Sequence, residues 1–348
     1  MSQDFAGMRS LAARLVASGT PGTLTTLFSA RGSTYRPVGS MMASLPGMHA
    51  GGISGGCLEE YVARIGERAT RNEPAIMLRF DTHRDAGDDM PVLGCGGSIE
   101  LLIERLTPDH VTLLEQFAAA AERDEDSWLA SVVARAGDGV SVMRTWLGAA
   151  RGCHVTSQPD VLVQHVPPLT RLIIFGAGDD AQPLCEAASL LGWHVSVADR
   201  RARLATRARF PKARQVVAGD WESVIETLTF SSRTAAVLMT HDLDDDAQVL
   251  SRLPRTLPYV GALGPAHRRE WLLEEASSLG GVARHEQAPL RVRGPIGLDL
   301  GDRSPAGIAV AVVAEILAQL NWRTPQPLGT ATDVLVSSDV GRLAYVAP

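Results

Sequence analysis

The residues of this sequence best suited to chemistry are two cysteines that lie among glycines. Four glycines stand within the six residues before Cys57, and Cys95 has glycines on both sides. Dense glycines expose backbone N–H groups and let a bulky ligand approach the main chain. A thiolate is both a nucleophile and a ligand for soft metals. The predicted binding residues are Gly55, Gly56, Cys57, Cys95, Gly96 and Gly97, and Cys57 is the candidate metal ligand.

The environment of Cys57 favours a functional thiol. An amphipathic pattern over residues 58–70 predicts a helix, so Cys57 lies at a helix N-terminus, where the dipole favours the thiolate. Arg31 and Arg36 can add positive charge or bind an anionic ligand through two hydrogen bonds. The alternative for any single cysteine is a small buried apolar residue, and this is our interpretation of Cys153 and Cys185.

A second glycine-rich segment, residues 176–181, fits the pattern G-x-G-x-x-A. It follows an apolar run typical of a strand and precedes a helical pattern, as in dinucleotide-binding domains. Gly176 permits the tight turn and Gly178 the close approach of an anion. Asp199, about 20 residues further on, ends the next strand and is placed to accept hydrogen bonds from ribose hydroxyls. We predict that all three residues bind a phosphate-bearing ligand; the alternative is a turn that merely needs glycine.

His241 follows a predicted strand, at the edge of the sheet where ligands bind in this type of fold. An imidazole there is a candidate cofactor-binding residue or general base. The alternative is a histidine at a strand–loop junction. The sequence offers no second member of a proton relay for it.

The pattern of elements changes near residue 165. Before it, strand-like runs alternate with glycine-rich turns and two helical patterns, which predicts a mixed α+β domain over 1–165. After it, strands and helices alternate, which predicts a Rossmann-like, doubly wound parallel sheet over 166–323, followed by an extension over 324–348. The fold class is therefore α/β. The predicted strands are 23–29, 38–45, 75–81, 99–106, 128–134, 140–147, 171–175, 194–198, 215–217, 235–240 and 259–262, and the predicted helices are 58–70, 111–123, 180–191 and 308–320.

Composition excludes several classes of protein. The chain has 348 residues, of which 45% are hydrophobic, and a net charge of −6, which favours two folded domains and disfavours nucleic-acid binding. It has neither a long apolar run for a membrane span nor a signal-peptide pattern at its start. The four cysteines form no C-x-x-C pair, so we expect reduced thiols and a cytoplasmic location.

Taken together, the motifs resemble those of the XdhC/CoxI family, the accessory factors of xanthine dehydrogenase and related molybdenum hydroxylases. They occur in order over most of the chain. The matching segments are Gly32-Ser33-Thr34-Tyr35-Arg36, Gly52-Ile53-Ser54-Gly55-Gly56-Cys57-Leu58-Glu59, Cys95-Gly96-Gly97, Phe175-Gly176-Ala177-Gly178, Thr240-His241-Asp242, Tyr259-Val260-Gly261-Ala262-Leu263-Gly264 and Pro295-Ile296-Gly297-Leu298-Asp299.

The resemblance implies a protein that binds the molybdenum cofactor, supports its sulfuration by a cysteine desulfurase and delivers it to an apo-hydroxylase. It implies a maturation chaperone rather than an enzyme. Two alternatives stay open: an NAD(P)-dependent oxidoreductase with His241 as base, and a nucleotide-sensing regulator that does not need Cys57. The sequence leaves open whether the protein is a homodimer.

Overall fold

A computed structural model describes residues 5–32, 34–81, 97–123, 126–136, 139–148, 156–158, 160–279 and 291–327. The predictions for Cys95, Gly96 and Cys153, and for the extension beyond residue 327, lie outside these ranges. Among the described residues, no helix has the length and apolar character needed to span a membrane.

The first half of the chain contains a five-stranded antiparallel sheet whose two faces are covered by different helices. The elements are α1 (Phe5–Ser18), β1 (Thr23–Arg31), β2 (Met41–Leu45), β3 (Met48–Gly51), α2 (Glu59–Ala69), β4 (Ala75–Asp81), β5 (Ser98–Arg105) and α3 (Pro108–Glu122). The strand order is β3-β2-β1-β5-β4. Met41 and Ala43 contribute to the apolar cluster with α1 and α3, whereas Met42 contributes to the cluster with α2, as the two-residue period of a strand requires.

A second antiparallel sheet follows. Its strands are β6 (Ser127–Ala136), β7 (Gly139–Gly148), β8 (Thr156–Gln158) and β9 (Val161–Val166), in the order β7-β6-β9-β8. Val133 and Leu162 of this sheet pack in one cluster with Phe28 and Leu102 of the first sheet. The antiparallel sheets and their helices confirm the predicted mixed character of this half.

The second half contains a six-stranded parallel sheet covered on both sides by helices. The elements are β10 (Arg171–Phe175), α4 (Ala181–Leu190), β11 (His194–Asp199), β12 (Gln215–Ala218), α5 (Trp221–Glu226), β13 (Thr234–Leu238), α6 (Leu243–Arg252), β14 (Tyr259–Ala262), α7 (Ala266–Ser278), β15 (Val292–Arg293) and α8 (Pro305–Leu320). The strand order is β12-β11-β10-β13-β14-β15. Leu172 and Ile174 face the cluster with α4 and α8, and Ile173 and Phe175 face the cluster with α5, α6 and α7. This confirms the predicted doubly wound fold.

The strand order places the two predicted binding segments of this half side by side. The chain runs from β10 outward to β12 and then returns to the other side of β10 as β13. The gap between the carboxyl ends of β10 and β13 is therefore the topological switch point, where doubly wound sheets bind ligands. Residues 176–181 follow β10 and His241 follows β13, so both lie at this crevice.

Glu122, in the last turn of α3, joins the first half of the chain to the parallel sheet. Its carboxylate lies 4.0 Å from Arg171 Nη2, 3.9 Å from His194 Nε2 and 3.6 Å from Arg214 Nη2. These partners stand at the amino ends of β10, β11 and β12. The contact is thus at the edge of the sheet opposite to the switch-point crevice.

Candidate functional site

The glycine-rich loop before Cys57 connects β3 to α2. Helix α2 begins at Glu59, with Leu58 as its N-cap residue, one position later than predicted. Cys57 is exposed and has a free thiol. The structure therefore places this thiol on the surface, two residues before the start of a helix, as the sequence indicated.

A buried carboxylate holds this loop in place. Glu59 is only 3% exposed, and its Oε1 accepts hydrogen bonds from the backbone N–H of Ile53 (3.1 Å) and Ser54 (2.8 Å). Its Oε2 accepts from Leu58 N–H (3.2 Å) and from the Ser54 hydroxyl. Burial opposes the charged form, but the hydrogen bonds from Ser54 and from the backbone outweigh it and lower the pKa of Glu59. The carboxylate thus fixes the loop in its ionised form.

Ser54 connects this carboxylate to the thiol. Its hydroxyl oxygen accepts hydrogen bonds from the N–H of Gly56 and of Leu58, both at 3.2 Å. The Cys57 thiol donates to the same oxygen at 3.5 Å. Gly56 has φ +109°, a conformation that favours glycine. The position of the thiol is therefore set by its own loop.

Tyr35 and Arg36 lie against this loop. A Cβ on Gly55 would be 3.5 Å from the ring atoms of Tyr35, so the ring covers the main chain there. Tyr35 is nevertheless 74% exposed. Arg36 donates from Nε to the Ser54 carbonyl (3.2 Å), and its guanidinium carbon is 5.7 Å from the centre of the Tyr35 ring. The structure thus brings Arg36 to the glycine–cysteine loop, as predicted, together with Tyr35, which was not among the predicted binding residues.

Arg31 lies at the end of β1 and is exposed. In the antiparallel pair of β1 and β5, Arg31 lies opposite Ser98, the residue that follows Gly97. Arg31 therefore lies beside the strand that begins directly after Gly97; Cys95 and Gly96 lie outside the described residues.

The two glycines of the second loop have different structural requirements. Gly176 has φ +117°, and a Cβ there would lie 2.3 Å from the Met239 carbonyl oxygen, so this position requires glycine for folding. A Cβ on Gly178 would lie 3.6 Å from His241 Nε2, which is an ordinary contact. The fold therefore does not require glycine at 178, and the free space above it faces the crevice.

Asp199 does not present a free carboxylate to a ligand. Its Oδ2 accepts from Ala177 N–H (2.7 Å) and Arg201 Nη2 (2.8 Å), and its Oδ1 accepts from Arg201 N–H (2.8 Å) and Nε (2.9 Å). A carboxylate has about four acceptor positions, so these donors occupy them. In this conformation Arg201 and the loop therefore take up the acceptor positions that hydrogen bonds from ribose hydroxyls would need, and the role of Asp199 in ligand binding stays a prediction.

Each of the two acids in the loop has a neighbouring side chain that is distant in sequence. Asp179 forms an ion pair with Arg209 at 2.9 Å. Asp180 Oδ2 lies 4.0 Å from His241 Nε2. His241 has φ +65°, a strained conformation of the kind that clusters at functional sites. Asp180 is thus a neighbouring acid for His241 that sequence reasoning missed, because nothing in their spacing indicated the contact.

A buried hydrogen-bond network involves Thr240, the residue directly before His241. Asp246 is fully buried, and it accepts hydrogen bonds from Thr240 Oγ1 and from Arg268 Nη2, both at 2.7 Å. Burial raises its pKa despite these hydrogen bonds. This network ties the end of β13 to α6 and α7, and neither Thr240 nor Asp246 was predicted as a supporting group.

The chemistry available differs between the two loops. Among the described residues, no group of three or more His, Cys, Asp or Glu side chains is arranged to hold a metal ion. Cys57 offers a single exposed sulfur, the type of ligand that soft metals prefer. The second loop leads into the N-terminus of α4, where the helix dipole favours an anion such as a phosphate.

Comparisons with known proteins match both halves of the chain. The family model described as the XdhC and CoxI family matches residues 15–81, and the XdhC Rossmann domain matches residues 172–316. A probable xanthine dehydrogenase subunit from Bacillus subtilis (strain 168) is 30% identical over 319 residues, which are 84% of this chain and 92% of that protein. The molybdenum cofactor insertion chaperone PaoD of Escherichia coli (strain K12) is 26% identical over 329 residues, covering 91% and 89%.

A solved structure confirms the fold. The crystal structure of a xanthine dehydrogenase from Bacillus halodurans superposes with a TM-score of 0.74 and covers 91% of this chain and 97% of that chain. The two sequences are 23% identical. The mixed first half and the Rossmann-like second half are thus shared with a known protein.

Proposed function

Because this chain belongs to the XdhC and CoxI family, we propose that it is an accessory protein that binds the molybdenum cofactor, supports its sulfuration and delivers it to a molybdenum hydroxylase of the xanthine dehydrogenase type. The names of two relatives, a cofactor insertion chaperone and a probable xanthine dehydrogenase subunit, support this role. The proposed partners are the apo-hydroxylase and a cysteine desulfurase. We propose a carrier rather than an enzyme.

The observation that carries the proposal is the exposed Cys57 thiol on a loop that internal hydrogen bonds hold in place. Ser54 and Glu59 hold the loop, so ligand binding there needs little reordering of the chain. The residues fit the cofactor, since a soft thiolate suits a molybdenum centre and Arg36 suits an anionic group. When bound, the cofactor would supply the metal chemistry that the client hydroxylase performs.

Each residue has a separate part in this carrier. Cys57 holds the metal end of the cofactor, Arg36 balances its negative charge, and the glycines let it approach the main chain. Because the thiol lies on the surface, the loaded cofactor would remain accessible to the client. The loop of residues 176–181 forms the second site and takes a phosphate-bearing ligand.

Cys57→Ser tests the proposal, because it retains the approximate size and hydrogen bonding of the side chain but removes the soft ligand. We expect retained molybdenum and pterin, measured after desalting, to fall about tenfold or more, together with activation of apo-hydroxylase. Cys185→Ala is the matched control, because Cys185 is buried in the second half and its variant should carry cofactor like the parent. A Cys57→Ser protein that loads and delivers normally would rule out the thiol as a ligand.

The same preparations discriminate against the oxidoreductase alternative. His241 and Asp180 are a candidate acid–base pair at the switch point. If the protein were a dehydrogenase, the hydroxylase-free protein would form NADH steadily from NAD and a purine, aldehyde or hydroxy acid. We expect no such turnover.

A further inference from the structure

Arg201 lies where a ligand in the switch-point crevice would meet the end of β11. Its Nε and Nη2 pair with the two oxygens of Asp199 at 2.9 and 2.8 Å. This side-on pair leaves Nη1 at the outer edge of the guanidinium. Asp199 is only 2% exposed, whereas the Arg201 side chain is 43% exposed. At the end of β11, a ligand in the crevice would therefore meet the guanidinium of Arg201, and the carboxylate of Asp199 is buried behind it.

This arrangement reverses the usual recognition of a nucleotide. In Rossmann domains an acid at the end of the second strand accepts hydrogen bonds from the ribose 2′-hydroxyl, whereas a nearby arginine accommodates a 2′-phosphate. Here the acid is engaged by protein donors, and the arginine is available. Of the two acids in the loop, Asp179 is paired with Arg209, which reduces its repulsion of a phosphate.

We propose that Arg201 makes the crevice selective for nucleotides whose ribose carries a phosphate, over those with a free 2′-hydroxyl. One phosphate would bind at residues 176–181 and the second at Arg201. The inference deepens the proposed function and rests on its assignment of this loop as a phosphate site. It does not depend on Cys57 or on the molybdenum cofactor.

Calorimetric titration with adenosine 2′,5′-bisphosphate and with AMP tests the proposal, because the two probes differ only in the ribose phosphate. The wild-type protein should bind the bisphosphate about tenfold or more tightly than AMP, the gain of a charge-assisted hydrogen bond. Arg201→Ala frees Asp199 to accept from hydroxyls, so the preference should disappear or reverse. Arg201→Lys keeps the charge without the two-point pair and should retain part of the preference.

Arg200→Ala is the matched control. Arg200 carries the same charge one residue earlier but pairs with Asp245 of α6 at 2.8 Å rather than with Asp199, so its variant should keep the wild-type ratio. An unchanged ratio in Arg201→Ala and Arg201→Lys overturns the proposal, as does failure of the bisphosphate to bind the wild-type protein. Thermal unfolding shows whether each variant is folded. Cofactor retention at Cys57, measured on the same samples, shows separately whether the carrier function stands.

Discussion

The glycine loops before α2 and before α4 are stabilised in the same way but offer different chemical groups. In each, a nearly buried carboxylate accepts hydrogen bonds from backbone N–H groups of the loop: Glu59 in the first, Asp199 in the second. Glu59 belongs to the helix that follows its own loop, whereas Asp199 comes from a neighbouring strand. The first loop is therefore fixed locally, and the second is fixed only when the parallel sheet forms.

The difference also determines where the reactive groups come from. The first loop carries its own nucleophile, Cys57. The second has no nucleophile in residues 176–181, and the side chains proposed to act with it, Arg201 and His241, follow the ends of two other strands. A self-contained loop suits one strong contact with a ligand, and a crevice between strands suits recognition of several parts of a ligand.

The largest effect on stability is expected from Gly176→Ala. The side chain would meet the Met239 carbonyl at 2.3 Å and would require φ +117°, so we expect a loss of about 3 kcal/mol or more in the free energy of unfolding. Urea denaturation measures this loss. Gly178→Ala is the control, because its added methyl makes only ordinary contact with His241; it should leave stability within about 1 kcal/mol and weaken phosphate binding. Equal destabilisation by both changes would refute the distinction between these glycines.

Glu59→Gln is expected to have the next largest effect, because it weakens the support of the first loop. A loss of about 1–3 kcal/mol is expected at pH 7. The folded pKa of Glu59 is below its ordinary value of 4.5, so the ionised carboxylate stabilises the protein above pH 4.5, and this stabilisation is lost as the pH falls through the folded pKa. The difference between wild type and variant should therefore shrink below pH 4.5.

The control for this change is Glu60→Gln, the adjacent exposed carboxylate, which accepts one hydrogen bond from Gly47 N–H at 2.9 Å. It should change stability by less than about 0.5 kcal/mol. A pH-independent difference between wild type and Glu59→Gln would show that the charge of Glu59 does not support the loop.

The smallest effect is expected from Arg36→Ala, which removes a partly buried hydrogen bond to the Ser54 carbonyl. We expect a loss of about 0.5–1 kcal/mol in stability but a clear loss of anionic ligand at the first loop. Arg31→Ala, at the end of β1, is the comparison for charge alone. If both variants bind ligand equally well, the contact of Arg36 with the loop has no part in binding.

Several elements were predictable because their signals are local. The strand at Arg171–Phe175 has the predicted bounds, and the α2 and α4 helices differ from their predictions by one residue at each end. The strand predicted over 38–45 begins instead at Met41, because Gly39 has φ +88° and forms a turn. The third helix begins at Pro108 rather than 111, because Thr107 and His110 form a capping box that hydrophobic spacing does not show.

The sequence by itself determined the two glycine loops, the position of Cys57 before a helix and the change from a mixed first half to an alternating second half, because each of these signals lies in local residue patterns. It did not predict helices α1, α5, α6 and α7. Only the tertiary structure decided what the charged side chains do. Arg201 donates hydrogen bonds to Asp199, and Arg209 pairs with Asp179. Asp180 lies 4.0 Å from His241. Ion pairs depend on distances between the ends of separate strands, and those distances exist only after the sheet has brought the strands together.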